Sequence, residues 1–435
     1  MRWLEVQQSR KIRGTFEVPG SKNSSLALLA AACLADEPVT LTGIPDVYDT
    51  RVIKEILEEV GILITKPDKN TFIVDARPVR SGELNFKKTA TFRASYYFVG
   101  ALLKKCGAVS IGYPGGDDFV SRPIDQHLKL LTAFGARVAE HENYYNVTAD
   151  HIRGTEIFFD VITCGATIHA VLIAVLASGK TVLKNVAQDP EVVDVCNLLN
   201  RMGAKIKGAG TSEITVIGVE QLGGCTYAVI PDRLIAGAML MTAGIAKNEI
   251  TVMGAIPEHL ASCLSKLEEI GLEFDIKDHS ITAFGANKLR PVRIRTGMYP
   301  AFATDLQQPI SSLLLGAQGR SIIADKIYPY RFNHISNFIR MGAEIKTRTG
   351  VALISGGRPL KGAVVHASDV RAGTSLIMAA LLAEGKTCIT GVEHIERGYE
   401  DVVQMFDTLH VDLKMVEGVN PYTQEGGEHF QSNIG

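Results

Sequence analysis

The chain repeats one pattern six times, and this constrains its fold more than any other feature. A helix rich in small residues, followed by a strand, opens at Ser21 (SKNSSLALLAAACLADEPVTL), Thr91 (TFRASYYFVGALLKKCGAVSI) and Thr163 (TCGATIHAVLIAVLASGKTVL). It returns at Pro231 (PDRLIAGAMLMTAGIAKNEITV), Ala303 (ATDLQQPISSLLLGAQGRSII) and Ala367 (ASDVRAGTSLIMAALLAEGKTCI). Successive copies start 64–72 residues apart, too far for a stacked solenoid and the right length for a small α/β unit. Each copy continues into an amphipathic helix, a glycine and a second strand. The junctions read EEVGIL (Glu58–Leu63), TAFGARV (Thr132–Val138), NRMGAKI (Asn200–Ile206), EEIGLEF (Glu268–Phe274) and IRMGAEI (Ile339–Ile345). Glycine after a helical run closes the helix, and the alternating segment beyond it is a strand. The sixth junction, TLHVDL (Thr408–Leu413), lacks the glycine.

Six units make two sets of three, with a midpoint near Val229–Pro231. The expectation is therefore an α/β protein of two similar lobes with a ligand cleft between them. A strand-like segment, Arg2–Pro19, precedes the first unit and is free to pair with either half.

Composition narrows the function classes. Of 435 residues, 46% are hydrophobic and 21% charged, an ordinary globular balance, and the length suits two or three domains. A net charge of −2 argues against a uniformly basic nucleic-acid surface. The longest apolar stretches, such as Leu26–Ala35 and Ala170–Ala177, are too short to span a bilayer. Residues Met1–Gly20 contain no apolar core of signal-peptide length. The seven scattered cysteines, Cys33, Cys106, Cys164, Cys196, Cys225, Cys263 and Cys388, show no CxxC spacing. Reduced thiols in the cytoplasm and no metal site are expected.

Two motifs are discounted. Ser178–Thr181 and Glu384–Thr387 contain GKT, as in a phosphate-binding loop, but Ala174 and Ala380 stand where its first glycine belongs. The helix also precedes and the strand follows, so a helix cap is the better reading. No GxGxxG opens a helix, which removes the signal for a dinucleotide cofactor, and no cofactor is expected.

Cations recur at equivalent places. Lys22, Arg93, Arg233 and Arg371 lie in the opening turn of a first helix, and Arg122, Arg331 and Arg397 lie in loops or helix starts of the second element. A cation at a helix N-terminus opposes the macrodipole. Such a conflict between residue and local rule marks a functional site. Arginine forks and free helix N–H groups together make an anion site.

In their contexts these residues resemble the enolpyruvyl transferase family. The similarity is carried by PGSKN (Pro19–Asn23), GGDDFVSRPID (Gly115–Asp125), PEVVD (Pro190–Asp194), IPDR (Ile230–Arg233), TDLQ (Thr304–Gln307), Arg331–Phe332, SDVRAG (Ser368–Gly373) and HIERGYED (His394–Asp401). The RPID, SDVRAG and HIERGYED segments are similar to the branch whose acceptor is UDP-N-acetylglucosamine, in peptidoglycan precursor synthesis. The resemblance implies two inverted α/β domains, inside-out barrels of three βαβαββ-type units each, with the chain crossing between them twice. One domain would hold residues 22–230 and the other residues 1–21 plus 231–435. It implies phosphoenolpyruvate and a UDP-sugar as substrates, with no nucleic-acid or membrane partner.

The resemblance also implies roles. Lys22, Arg122 and Arg397 hold the phosphate, Arg331 and Arg371 the carboxylate, and Asn23 meets both reactants. Asp305 takes the acceptor hydroxyl proton; its alternative is a helix cap. Arg122, Pro123, Ile124, Asp125 and Gln126 cradle uridine, while Arg93, Thr163, Cys164 and Gly165 lie near the diphosphate, with Ile327 also on the UDP-sugar. Where most members carry a cysteine as the acid for C3, this chain has Asp117, with Asp118 adjacent. A carboxylic acid can supply that proton but cannot form the thioether that fosfomycin makes with cysteine, so resistance is expected. Other departures are Ile168 and His169 in GATIH, Ile235 in PDRLI, and Pro329. They leave open a paralogue with another nucleotide or sugar acceptor. Shikimate 3-phosphate is disfavoured because TFRAS (Thr91–Ser95) replaces a GNAGT-type segment.

Overall fold

The six small-residue runs form six inner helices, buried over most of their length: Lys22–Ala32, Tyr97–Cys106, Cys164–Ala174, Arg233–Ala243, Gln307–Leu315 and Val370–Leu382. A helix apolar on every side has no face to give to water, so it must lie inside. Its small residues let neighbouring backbones approach. The first three inner helices pack together, as do the last three. The computed structural model describes residues 1–9, 11–115, 123–245 and 248–419.

Around each set of three lie three sheets, each with one face on the inner helices and the other in solvent. The third unit shows the plan. Glu156–Phe158 runs parallel to Lys180–Lys184, which pairs antiparallel with Glu213–Ile217, which pairs with Lys205–Lys207. The fifth unit repeats it with Arg293–Arg295, Gly319–Ala324, Val351–Gly356 and Glu344–Arg348. The second has three strands, Ala108–Gly112, Tyr144–Thr148 and Arg137–Glu140, and a parallel bridge from Glu83 to Ser110 in place of the fourth.

The first and fourth units exchange their parallel strands. Thr226–Ala228 lies beside Val39–Thr42, and Arg13–Glu17 lies beside Glu249–Met253. In the sixth unit, Arg2–Gln7 is inserted between Lys386–Thr390 and Leu413–Glu417. The N-terminal segment thus pairs twice with the C-terminal half. One apolar core runs from Leu26 to Val229. The other combines Leu4–Val18 with Leu234–Leu413. The chain passes between them at two places that bond to each other: Ser21 N–H donates to Ile230 O at 2.7 Å, and Asp232 N–H to Pro19 O at 2.9 Å.

The junction glycines take positive φ, from 91° at Gly135 to 119° at Gly271, a region that side chains with a Cβ enter at a cost. At the sixth junction His410 adopts φ 56° without that freedom, strained by about 1 kcal/mol. The GKT glycines, Gly179 and Gly385, have φ of 96° and 83° and lie between a helix and the strand that follows, as caps do. No disulfide forms among the described residues, and none of their helices is long and apolar enough to cross a membrane.

Candidate active site

A cavity of about 580 Å³ opens between the two cores, lined from both. Its walls gather Lys22, Asn23, Arg93, Pro123, Asp125, Gln126, Thr163, Cys164, Gly165, Asp305, Ile327, Arg331, Arg371 and Arg397. Asp117, Asp118 and Arg122 lie outside the described residues. Ile124 is not a lining residue; its side chain packs against the N-terminal core. Of the departures, Ile168 lines the cavity, while His169, Ile235 and Pro329 do not.

One cluster of charge is built on Asp49, in the first turn of helix Tyr48–Glu59, where a carboxylate suits the helix dipole. Its Oδ2 receives Lys22 Nζ at 3.1 Å, and its Oδ1 receives the Arg397 guanidinium at 3.3 Å. Lys22 begins the first inner helix, whose cap is the Ser21 hydroxyl accepting Ser24 N–H at 3.3 Å. Arg397 comes from the other core. It ends a short helix, Val392–Glu396, so its charge agrees with that dipole. Two cations from opposite halves therefore share one buried anion.

A second cluster is built on Asp305. It lies in the 3-10 turn Thr304–Leu306, whose cap is Ala303, and the following helix is capped without a side-chain bond. The cap alternative for Asp305 fails on that geometry. Its carboxylate instead bridges two arginines, bonding Arg331 through Oδ1 and lying 3.5 Å from Arg371 through Oδ2. Burial is the largest effect and works against both guanidinium charges, but their neighbours together raise both pKa values, Asp305 first, with Asp369 at Arg331 and Tyr399 and Asp232 at Arg371. Arg371 follows the cap Asp369, which accepts Arg371 N–H at 2.9 Å and Ala372 N–H at 3.1 Å.

Arg233, also in the wall, is clamped by Glu191 at 3.1 Å and Asp189 at 3.3 Å. Burial, then the neighbouring Glu191, pushes the Asp189 carboxyl up to about 6 against the pull of Arg233. Arg93, also in the wall, donates to Pro123 O at 2.8 Å. Gln126 ties the loop together, donating to Asp125 at 2.8 Å and Asp160 at 3.0 Å. Gly165 is required by closeness: a Cβ there would come within 2.2 Å of the Tyr96 hydroxyl oxygen. Burial, with Asp189 and Glu191 nearby, raises the Cys164 thiol well above its usual range, so it is no thiolate. Asp325 shapes the far wall, accepting the hydroxyls of Thr296 (2.8 Å) and Thr304 (2.7 Å) and the N–H groups of Ile327 (2.9 Å) and Tyr328 (2.8 Å).

Asp49, Asp189, Glu191 and Asp325 were not anticipated from sequence as site residues, although Glu191 falls within a segment that carries the family resemblance. Each is an acid at a turn or helix start, a common pattern with no signal for which distant cation it meets. Among the described residues, no group of three acidic, His or Cys side chains is placed to hold a metal.

Comparison with known proteins agrees with this architecture. A sequence model of the family described as EPSP synthase (3-phosphoshikimate 1-carboxyvinyltransferase) matches residues 6–406. The chain is 43% identical over 413 residues to UDP-N-acetylglucosamine 1-carboxyvinyltransferase 2 of Bacillus anthracis, covering 95% of this chain and 96% of that one. It is 44% identical over 410 residues to the protein of the same name from Listeria monocytogenes serovar 1/2a, covering 94% and 97%. Among solved structures, the enolpyruvyl transferase NikO from Streptomyces tendae superposes with a TM-score of 0.86 at 24% identity, covering 95% of this chain and 98% of that one. EPSP synthase from Acinetobacter baumannii does so with 0.74 at 16%, covering 96% and 100%. These two structures show the shared two-domain fold. On the sequence matches, the chain belongs to the EPSP synthase family of enolpyruvyl transferases.

Proposed function

We propose that this protein transfers the enolpyruvyl group of phosphoenolpyruvate to the 3-hydroxyl of UDP-N-acetylglucosamine in the cytoplasm, releasing phosphate. One observation carries the donor half: a single cavity holds two separate cation pairs, Lys22 with Arg397 and Arg331 with Arg371. Phosphoenolpyruvate carries two separate anions, a phosphate and a carboxylate. Arginine suits both through its planar fork. The acceptor half is supported by the names of relatives over 40% identical along nearly the whole chain.

The reaction is addition followed by elimination. The acceptor O–H breaks as its oxygen bonds C2 of phosphoenolpyruvate, and C3 gains a proton. The C2–O bond to phosphate then breaks, C3 loses a proton, and the double bond re-forms. Asp305 takes the hydroxyl proton, and Asp117 or its neighbour Asp118 supplies and recovers the proton at C3. Lys22, Arg122 and Arg397 hold the phosphate and offset its charge as it leaves. Arg331 and Arg371 hold the carboxylate, and Asn23 lies between the reactants. Substrate carboxylate loosens the arginines' grip on Asp305, which turns that group towards its work as a base.

The test is phosphate release from the purified protein with both substrates and no added metal. Release that requires UDP-N-acetylglucosamine supports the reading. Phosphoenolpyruvate binding without release in its presence removes this acceptor and leaves the donor.

A further inference from the structure

His127, in the cavity wall, lies beside His169, with Nδ1 to Nδ1 at 3.1 Å. Burial, with His169 and Arg93 adding to it at His127, lowers the pKa of both rings, so neither is an imidazolium near neutral pH. Two neutral imidazoles joined through Nδ1 hold one proton between them. One ring donates, and the other accepts and must carry its own proton on Nε2.

The surroundings decide which ring donates. His169 is fully buried, and among the described residues its Nε2 has no partner. That nitrogen faces Gly100 of the second inner helix, where a Cβ would come within 3.2 Å of it and 2.8 Å of Cδ2. A proton on His169 Nε2 would be a buried donor with nothing to bond, rarer in proteins than an unsatisfied acceptor. His169 therefore carries its proton on Nδ1 and donates it to His127. His127 is then the Nε2–H tautomer. It lines the cavity, and among the described residues no group bonds its Nε2. The Tyr96 ring, 3.8 Å from it between centroids, holds the imidazole in place.

We infer that His169 is a positioning residue that fixes His127 as a neutral Nε2–H donor, which reads an oxygen, carbonyl or phosphate, of the acceptor nucleotide. This rests on the nucleotide-acceptor reading above. A neutral donor accepts a hydrogen-bonding oxygen without adding charge to a wall that already carries Arg93. The tautomer matters because a bare Nε2 at the same place would repel that oxygen.

Long-range proton–nitrogen correlation spectra of the wild-type protein test the tautomers directly. Protonated Nδ1 at His169 and protonated Nε2 at His127 are expected, and the reverse assignment overturns the inference. Calorimetric titration with UDP tests the consequence. His127→Phe weakens UDP binding about tenfold, the scale of one lost hydrogen bond, with the KM for phosphoenolpyruvate and kcat within about twofold. His169→Leu weakens UDP about threefold, because His127 then shifts between tautomers, and His169→Gln, which keeps a donor, restores it. Loss of uridine binding in His127→Phe assigns a base carbonyl, and loss with UDP alone assigns phosphate. UDP affinity unchanged in His127→Phe overturns the inference, whether or not His169→Leu folds. Wild-type protein that binds UDP but releases no phosphate from phosphoenolpyruvate in the presence of UDP-N-acetylglucosamine removes the acceptor assignment only. Wild-type turnover with UDP binding unchanged in His127→Phe removes this inference only.

Discussion

Asp49 and Asp305 each sit between two cations in the wall of one cavity, yet their side chains are 3% and 27% exposed. Asp49 is shut away behind Lys22 and Arg397, so it arranges those charges before any ligand arrives. Asp305 covers the more deeply buried pair, Arg331 and Arg371, and itself faces the open cavity. The same ion-pair chemistry thus does two jobs. Preorganised cations need no rearrangement to meet an anion, which is where electrostatic catalysis gets its strength. In the proposed reaction, a carboxylate held by arginines that also serve the substrate is released when the substrate takes its place.

The comparison is broken most severely at Asp305. Asp305→Asn keeps the shape and removes the base; kcat falls about 10²–10⁴-fold while phosphoenolpyruvate affinity stays within about threefold. Equal losses in kcat and affinity, measured by phosphate release and calorimetry, would make Asp305 a mere brace. Asp49→Ala has the opposite signature. The KM for phosphoenolpyruvate rises about tenfold, as Lys22 and Arg397 lose their common anion, and kcat changes by less than about threefold. A kcat loss larger than the KM change would place Asp49 at the chemistry.

Asp189 sharpens the contrast through pH. Its folded pKa, about 6, lies above the ordinary value of 3.8, so the folded state holds a proton that the unfolded state releases between those values. Stability from this group therefore falls as pH rises through that window. Asp189→Asn removes the penalty and stabilises the protein by roughly 3 kcal/mol at pH 8, a gain that nearly vanishes by pH 4. Thermal melts at the two pH values check the sign, and a uniform change at both refutes it. The smallest expected effect is none: fosfomycin leaves the wild type active, whereas Asp117→Cys becomes open to inactivation. Rapid covalent loss of wild-type activity would remove Asp117 from its assigned place.

The repeats were legible because periodicity is local. A run such as SSLALLAAA shows that a helix is buried all round, and a glycine at a fixed offset shows where the next helix ends. His410 shows the limit, since the sixth helix closes with the same left-handed turn on a residue that does not announce it. The cations were legible because Lys22, Arg233 and Arg371 contradict the dipoles of the helices they begin. Arg397 carries no such contradiction; its repeat-equivalent place singled it out, and only the resemblance gave it a role. Partners were not legible. Lys22 meets an acid 27 residues away and Arg397 meets the same acid across 348. Nothing in spacing ties His127 to His169, which meet only because Gly100 leaves room between helices.

The exchanged strands at the two crossings set an order of assembly during synthesis. Once residues 226–228 leave the ribosome, the first three units have every strand they need. The opening strands do not. Arg13–Glu17 waits for residues 249–253, and Arg2–Gln7 waits for residues 386–390 and 413–417. Strands made early are thus among the last to be placed, and the second core closes only when its final strand has emerged. Until then the leading segment is an unpaired edge, the kind of surface that a nascent-chain chaperone covers.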